Sequence, residues 1–448
     1  MKRIIDGELE KWAQEESPKP LLLRGARQVG KTYAVRKLGR RFTSFVEINF
    51  DENPETALFF KDGLSAAPIV EKLSAYAGRT IVPGETLLFF DEVQACPKAL
   101  ASLRYFREQM PRLHVLAAGS LLEFALQDIP SLGVGRLTSR FMYPMTFTEF
   151  LSGIGDEALL GVMEQADYTH PLDEPFHRRL VGRLRTYMTI GGLPEVVAGY
   201  ARNHDLNAAM DTLDDLLLLF QDDFAKYRKR VPAARLAETF RSAALQAGGK
   251  FVCARVSRDV KSTAIRDALE LLVKAGLVLK VRHTNANGVP LGADAGEGNF
   301  KTLLADMGLH QRLLGLDLRN LVTLDDTSFV NRGALAEVYA GLQIAAHSSM
   351  RHRPELYYWH REAANAMAEV DYVLQRGDAL LPVEVKSGLR GRMKSLRLLM
   401  AEKKIPFGIR LSLENFSSLP DVGILPLYAV HRLCAETPLL SGAEERSF

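Results

Sequence analysis

Apolar residues along the chain follow two rhythms. Short unbroken runs and period-two alternation mark strands, and spacings of three and four mark helices. Leu21-Leu22-Leu23, just after Pro20, suits a strand buried on both faces. Phe45, Val46 and Ile48 predict a second strand over 44–50. Leu87-Leu88-Phe89-Phe90 predicts a third, and Val115-Leu116-Ala117-Ala118 a fourth over 114–119. Residues 1 to about 16 read as a charged amphipathic helix, and Tyr33 to Leu38 as another. Strands alternating with helices imply a parallel sheet covered on both faces.

From Phe176 to about Lys229 the period is helical, broken at Gly191-Gly192-Leu193-Pro194. Leu213, Leu216, Leu217 and Phe220 fall on one helical face and read as core. Asp222-Asp223 and Lys226 to Arg230 then form an acid-and-base block that suits a solvated surface or a partner contact. Residues 235–330 resemble a winged helix. A short helix is expected over 254–260, a turn at Lys261-Ser262, and a second helix over 263–275 with Ile265, Leu269, Leu272 and Val273 as its stripe. Gly276 ends that helix, 277–281 reads as a strand, and the Gly-rich stretch 285–298 suits a wing. Beyond it, 333–343 reads as a helix (Leu335, Val338, Leu342), 369–374 as a strand, Arg376-Gly377-Asp378 as a turn, and 380–385 as a strand.

The first chemistry sits directly after the Leu21-Leu22-Leu23 run. Gly25-Ala26-Arg27-Gln28-Val29-Gly30-Lys31-Thr32 fits G-x-x-x-x-G-K-[ST], between a strand and a helix as that motif requires. Glycines let the backbone turn tightly so that several N–H groups face one anion, and the following helix presents its positive end there. Lys31 is placed to reach the β- and γ-phosphates of a nucleotide, and the Thr32 hydroxyl to ligate Mg²⁺.

The run ending in Phe90-Asp91-Glu92 carries two acids out of a buried strand. Asp91 is the candidate to hold Mg²⁺ directly or through water, and Glu92 to polarise the attacking water. Ser120, at the end of the fourth strand, has two readings. It is a candidate sensor of the γ-phosphate, or an N-cap for a helix over 121–127 with Glu123 completing a capping box. Arg136 and Arg140 are candidates to neutralise transition-state charge, in the same chain or across a subunit boundary.

Composition narrows the setting. The chain has 448 residues, 47 % apolar and 25 % charged, which is a globular composition with room for two to four domains. A net charge of +3 leaves nucleic-acid binding to local patches such as Arg255, Arg258, Lys261 and Arg266. Cys96, Cys253 and Cys434 lack metal-type spacing and suit a reducing cytoplasm. No apolar run approaches a membrane span, so no membrane partner is expected.

The C-terminal part carries a second set of acids. Glu337 lies on the predicted helix, Asp371 on the first predicted strand, and Glu384-Val385-Lys386 on the second. Strand alternation puts Glu384 and Lys386 on one face. Glu337, Asp371 and Glu384 make a hard-oxygen set for Mg²⁺ or Mn²⁺, with Lys386 placed to orient water or stabilise developing charge. A basic stretch over 388–400, with Arg390, Arg392, Lys394 and Arg397, suits phosphate backbone or a solvated face. The order of helix Glu, strand Asp, turn and E-x-K strand resembles PD-(D/E)XK nucleases. It departs from their pattern in having Val370 where a proline gives the motif its name.

The loop at 25–32, the Phe-Phe-Asp-Glu-Val-Gln run at 89–94, Ala118-Gly119-Ser120, and Gly135-Arg136 followed by Tyr143 to Phe150 resemble one group. It is the prokaryotic AAA-family ATPases that carry a C-terminal domain of unknown function. The resemblance implies an α/β multidomain chain. Its parts are an additional-strand P-loop ATPase core (1–150), a helical lid containing the Gly-Gly-x-Pro segment (151–234), a winged helix (235–330) and a restriction-endonuclease-like α/β domain (331–448). It implies ATP and Mg²⁺ as cofactors, with a second Mg²⁺ or Mn²⁺ in the C-terminal domain. DNA, a protein partner or further copies of the chain are the partners it suggests. Three functions remain open on these residues: an ATP-driven enzyme acting on nucleic acid through a nuclease domain, a nucleotide switch whose nuclease-like domain cuts nothing and binds a partner, or a DNA-binding regulator that uses the winged helix.

Overall fold

A computed structural model describes residues 1–127, 129, 135–227, 231–316, 333–363, 366–386 and 393–435. The chain divides into two compact units. The first is Met1–Pro144 with Lys274–Gly276 and Ser349–Arg353, and the second is the remainder.

Five strands build the first unit: β1 (Leu21–Arg24), β2 (Ser44–Asn49), β3 (Thr86–Asp91), β4 (His114–Ala118) and β5 (Thr138–Phe141). They pair in the order β2-β3-β4-β1-β5, all parallel. Period-two alternation explains why the runs are apolar throughout. Leu21, Leu23, Leu87 and Phe89 pack on one face with Ile5, Leu9 and Trp12 of the helix Ile4–Ala13, and with Ala34, Val35 and Leu38 of the helix Lys31–Gly39. Leu22, Leu88 and Phe90 pack on the other with Ile69 and Leu73 of Ala66–Ala77, and with Leu100, Leu103 and Phe106 of Pro97–Gln109. Each fully buried Leu or Phe contributes roughly 1.5–3 kcal/mol of transfer free energy. Strand β4 lies between β1 and β3, which is the additional-strand arrangement that the resemblance implied.

The second unit begins with helices, among them Glu174–Ile190, Pro194–Asn203, Leu206–Asp222, Ala233–Leu245 and Ser262–Lys274. The Gly191-Gly192 break falls where expected. Its backbone is tied by the Gly192 N–H, which donates to Asp306 Oδ2 at 2.6 Å. Sheet strands follow: β6 (Val278–Thr284), β7 (Gly296–Leu304), β8 (Leu356–Ala363), β9 (Ala366–Val370), β10 (Tyr372–Arg376), β11 (Ala379–Val385), β12 (Gly408–Ser412), β13 (Ser417–Ser418) and β14 (Val422–Pro426). They form a four-stranded sheet, β7-β6-β8-β9, and a five-stranded sheet, β10-β11-β12-β14-β13.

Three details differ from the sequence reading. The short helix expected over 254–260 is one 3₁₀ turn, Cys253–Arg255. Ala254, Arg255, Arg258 and Asp259 are all exposed, so no apolar face holds a longer helix there. The β6–β7 hairpin is not a closed wing, because β8 pairs with β6 and extends the sheet across the boundary expected at 330. The strand expected over 369–374 is two strands in different sheets, broken at Asp371. The Asp371 carboxylate itself accepts the Val385 N–H at 2.7 Å and so takes a ladder position. Arg390, Arg392 and Arg228 to Arg230 lie outside the described residues.

The helix Met307–Leu313 buries His310, whose Nδ1 has no partner. Burial pushes its pKa down to about 4, so the folded state keeps the ring neutral. A depressed histidine contributes stability that is present above the unfolded value of about 6.5 and is lost as pH falls toward the folded value. The linked change approaches roughly 3 kcal/mol across that window. His310→Leu is expected to flatten the acid limb between pH 6.5 and 4 in urea unfolding. An unchanged slope would show that another group carries it.

Candidate functional site

Strand β1 delivers the chain into the loop at Gly25, where φ is +142°. A Cβ at Gly25 would lie 2.2 Å from the Met142 carbonyl oxygen, so only glycine fits. Gln28 (φ 61°) and Gly30 (φ 91°) are also left-handed, and Gly30 caps the helix Lys31–Gly39. Ala26 and Val29 are buried, Arg27 is half-buried, and Gln28 is exposed. Lys31 Nζ sits inside the loop and donates to the carbonyls of Gly25 (3.0 Å) and Ala26 (2.7 Å). Burial lowers its pKa to about 8 against the opposing pull of Glu92 and Asp91.

Thr32 Oγ1 donates to Asp91 Oδ2 at 2.9 Å, which places the end of β3 beside the start of the loop helix. Burial raises the Asp91 pKa, with the Thr32 hydrogen bond opposing. The next residue, Glu92, is held in the left-handed region at φ 46°. Its Oε2 accepts from Gln94 Nε2 (2.5 Å), Ser120 Oγ (3.2 Å) and the Ser120 N–H (3.3 Å). Lys31, Thr32, Asp91, Glu92 and Ser120, predicted from separate stretches, therefore meet at one end of the sheet.

One expectation is corrected here. Ser120 makes no capping box. The helix Leu122–Ala125 begins after Leu121 without a side-chain cap, and the Ser120 hydroxyl goes to Glu92. Glu123 is occupied elsewhere, paired twice with Arg24 and at 2.9 Å with Arg353. Arg140 is buried and donates to Glu8 at 3.1 Å and to Thr138 and Ser139. Arg136 is half-exposed and paired with Glu108.

The structure also brings to the site residues to which the sequence reading gave no role there. Arg3, buried, donates to Val29 O (2.8 Å) and Tyr143 O (2.6 Å) and so braces the loop. Gln94 supports Glu92, and a Cβ at Gly119 would strike the Gln94 Oε1 at 1.9 Å. Gly276 lies against the loop as well: a Cβ there would be 3.2 Å from Ala26 N.

In the second unit the predicted acids converge around a residue not foreseen. Lys301 of β7, fully buried, places Nζ 2.7 Å from Glu337 Oε1 and 2.5 Å from Glu369 Oε1. Burial alone would lower its pKa, but Glu337, Glu369 and Asp371 outweigh that and raise it. Burial and the neighbouring Asp371 push Glu337 up to about 8, with Lys301 opposing. Burial likewise raises Asp371 and Glu384. Lys386 Nζ pairs with Glu384 Oε1 at 2.5 Å, as strand alternation required, while Glu384 Oε2 is buried without a partner. Among the described residues no group of three or more His, Cys, Asp or Glu side chains is arranged to hold a metal ion.

The AAA domain family model matches residues 17–151. That stretch is an AAA domain, a P-loop ATPase module. Two families of unknown function match later stretches: DUF8612 over 181–320 and DUF4143 over 332–428. A comparison with curated proteins gives no match. Among solved structures, the Walker-type ATPase PABY2304 of Pyrococcus abyssi is 18 % identical with a TM-score of 0.44, covering 70 % of this chain and 95 % of that one. The Aeropyrum pernix Orc1 protein, solved in complex with DNA, is 15 % identical with a TM-score of 0.29 over 72 % and 95 %. Cdc6p from Pyrobaculum aerophilum is 12 % identical with a TM-score of 0.24 over 69 % and 92 %. At these values the likeness adds nothing to the reading of either site.

The AAA domain's loop gives a direct test. Gly25→Ala forces a Cβ onto the Met142 carbonyl in a positive-φ conformation, so the loop must rearrange. Affinity for a fluorescent ATP analogue is expected to fall about tenfold or more, with far-UV dichroism unchanged. Unchanged affinity would mean that the loop does not hold the phosphates.

Proposed function

We propose that the chain is a Mg²⁺-dependent ATPase whose turnover changes how its second unit engages nucleic acid or a protein partner. The observation that carries the ATPase reading is the Thr32–Asp91 contact at 2.9 Å beside Lys31 and Glu92. These residues fit the nucleotide and metal chemically. The loop offers left-handed residues and a helix start for phosphates, and Thr32 and Asp91 present adjacent oxygens to a hard cation. ATP would supply the phosphoanhydride, and bound Mg²⁺ would partly neutralise the phosphate charge. Lys31 binds and orients the terminal phosphates. Thr32 and Asp91 would hold the metal. Glu92, aimed by Gln94 and Ser120, orients the attacking water and accepts its proton, and Ser120 is placed to report on the γ-phosphate. Where a charge is supplied in the same chain or across a boundary between copies, Arg136 and Arg140 are the candidates.

Nucleic acid is the ligand that the exposed Arg255, Arg258, Lys261 and Arg266 favour, since the first three precede the helix Ser262–Lys274 of the winged-helix-like segment and Arg266 lies in its first turns. The C-terminal acids support a nuclease-like fold, with Glu337, Asp371 and Glu384 as candidate ligands for a second Mg²⁺ or Mn²⁺. A second reading, a switch that cuts nothing, is favoured by one observation: Lys301 stands among those acids. A cytoplasmic setting agrees with three unpaired cysteines. Among the described residues no helix is long and apolar enough to cross a membrane.

Glu92→Gln is expected to leave ATP affinity within a few-fold and to lower turnover on the order of 10²-fold. Retained turnover would remove Glu92 from the chemistry. Neutralising Arg255, Arg258, Lys261 and Arg266 together is expected to weaken duplex DNA binding and to reduce the salt slope by about 3 to 4. An unchanged slope would remove DNA from this surface. Cleavage of plasmid, single-stranded DNA and RNA with Mg²⁺ or Mn²⁺, beside Asp371→Ala and Lys386→Ala, separates the two readings. Cleavage lost in both variants establishes the nuclease, and ATP turnover without cleavage establishes the switch.

A further inference from the structure

The acids Glu337, Glu369, Asp371 and Glu384 come from three places in the second unit. Glu337 is on the helix Gly333–Ser348, Glu369 and Asp371 are on and just after β9, and Glu384 is on β11. Acids gathered in this way from separate elements repel one another unless a cation lies between them. The cation on hand belongs to the chain. Lys301 has no solvent exposure, and its ammonium lies within hydrogen-bonding distance of carboxylates from both the helix and the strand. Lys386 neutralises the far side through Glu384 Oε1. That leaves Glu384 Oε2 buried and unpartnered, an oxygen lone pair inside an acid cluster of the kind that a hard cation takes.

We propose that Lys301 is a tethered cation occupying the divalent-metal position of this cluster, so that the site is closed to Mg²⁺ and Mn²⁺ as long as the lysine is in place. A buried ammonium is costly to desolvate, and it is held here by its contacts to Glu337 and Glu369. The Glu337 oxygen is one that a divalent ion at this cluster would need, and two like charges within one small cluster exclude each other. The acids then serve to fix β7, β9, β11 and the helix Gly333–Ser348 against one another. The inference stands on the second unit alone and does not depend on the ATPase reading.

The test uses the full chain with Asp91→Asn, to silence the first candidate metal site, and Mn²⁺ as the probe, followed by electron paramagnetic resonance without nucleotide. With Lys301 intact, no tightly bound Mn²⁺ is expected. Adding Lys301→Met, or Lys301→Gln, is expected to create a site for one Mn²⁺ per chain. Its affinity should exceed the background about tenfold or more, and Asp371→Asn should remove it again. Mn²⁺ bound with Lys301 intact and lost in Asp371→Asn would overturn the proposal. So would a folded Lys301→Met or Lys301→Gln chain, by circular dichroism, that gains no ion. The first arm changes nothing at position 301, so it can overturn the proposal even where the lysine variants fail to fold.

Discussion

The parallel pairing of β1 with β4 on one side and β5 on the other is the constraint on which the first unit depends. It fixes the strand that enters the phosphate loop between two neighbours, each of which contributes to the site. From β4 the chain runs into Gly119 and Ser120, and Ser120 reaches Glu92. From β5 it runs into Met142, whose carbonyl closes on the Cα of Gly25. Because every strand in this sheet is parallel, the carboxyl ends lie together. Loops that are far apart in sequence therefore meet at one edge. The burial of Leu21, Leu22 and Leu23 on both faces makes β1 hard to shift. A slip of one residue would carry each leucine into the opposite layer and move Gly25 off Met142.

The second unit relies on a different kind of constraint. Its two sheets share no strand, yet the chain passes from one to the other at Asp371, where the carboxylate replaces a ladder carbonyl at Val385. Buried charge therefore stands where backbone pairing stops. Ion pairs of this sort contribute little net stability compared with apolar packing, but losing one partner leaves a bare buried charge and costs several kcal/mol. Lys301, Glu337 and Glu369 act in that way as specificity for one arrangement of β7, β9 and the helix Gly333–Ser348.

The motifs legible in the sequence were those whose chemistry lies in consecutive residues. Gly25 to Thr32 and Phe90-Asp91-Glu92 are readable because backbone geometry restricts residue type within one turn. The alternation of Glu384 and Lys386 is readable because a strand has a fixed period. What was not legible depends on contacts across long separations. Arg3 braces Val29 from 26 residues away, and Lys301 meets Glu337 across 36. Neither residue has a local pattern to mark it. Ser120 shows the limit most clearly. Its spacing to Glu123 fits a capping box, yet Glu123 is drawn off by Arg24 and Arg353, and the hydroxyl turns to Glu92. The interrupted strand at Asp371 failed for a related reason: the pattern is apolar on both sides, and only a tertiary hydrogen bond breaks it.

The backbone of Glu92 ties these points to mechanism. A non-glycine residue at φ 46° carries strain that a free loop would release. Here it is held on both sides. Asp91, just before it, is buried and bonded to Thr32, while Val93, just after it, is fully buried in the core beside Phe90 and Leu122. The strained turn points the carboxylate back toward Ser120 and Gln94 rather than along the strand. Gln94 can approach only because residue 119 has no side chain. The acid proposed to activate water is thus aimed by a strained backbone, a hydroxyl from just beyond the neighbouring strand and an amide admitted by a glycine. Removing any one of the three leaves the others to hold a carboxylate in a conformation it does not favour by itself.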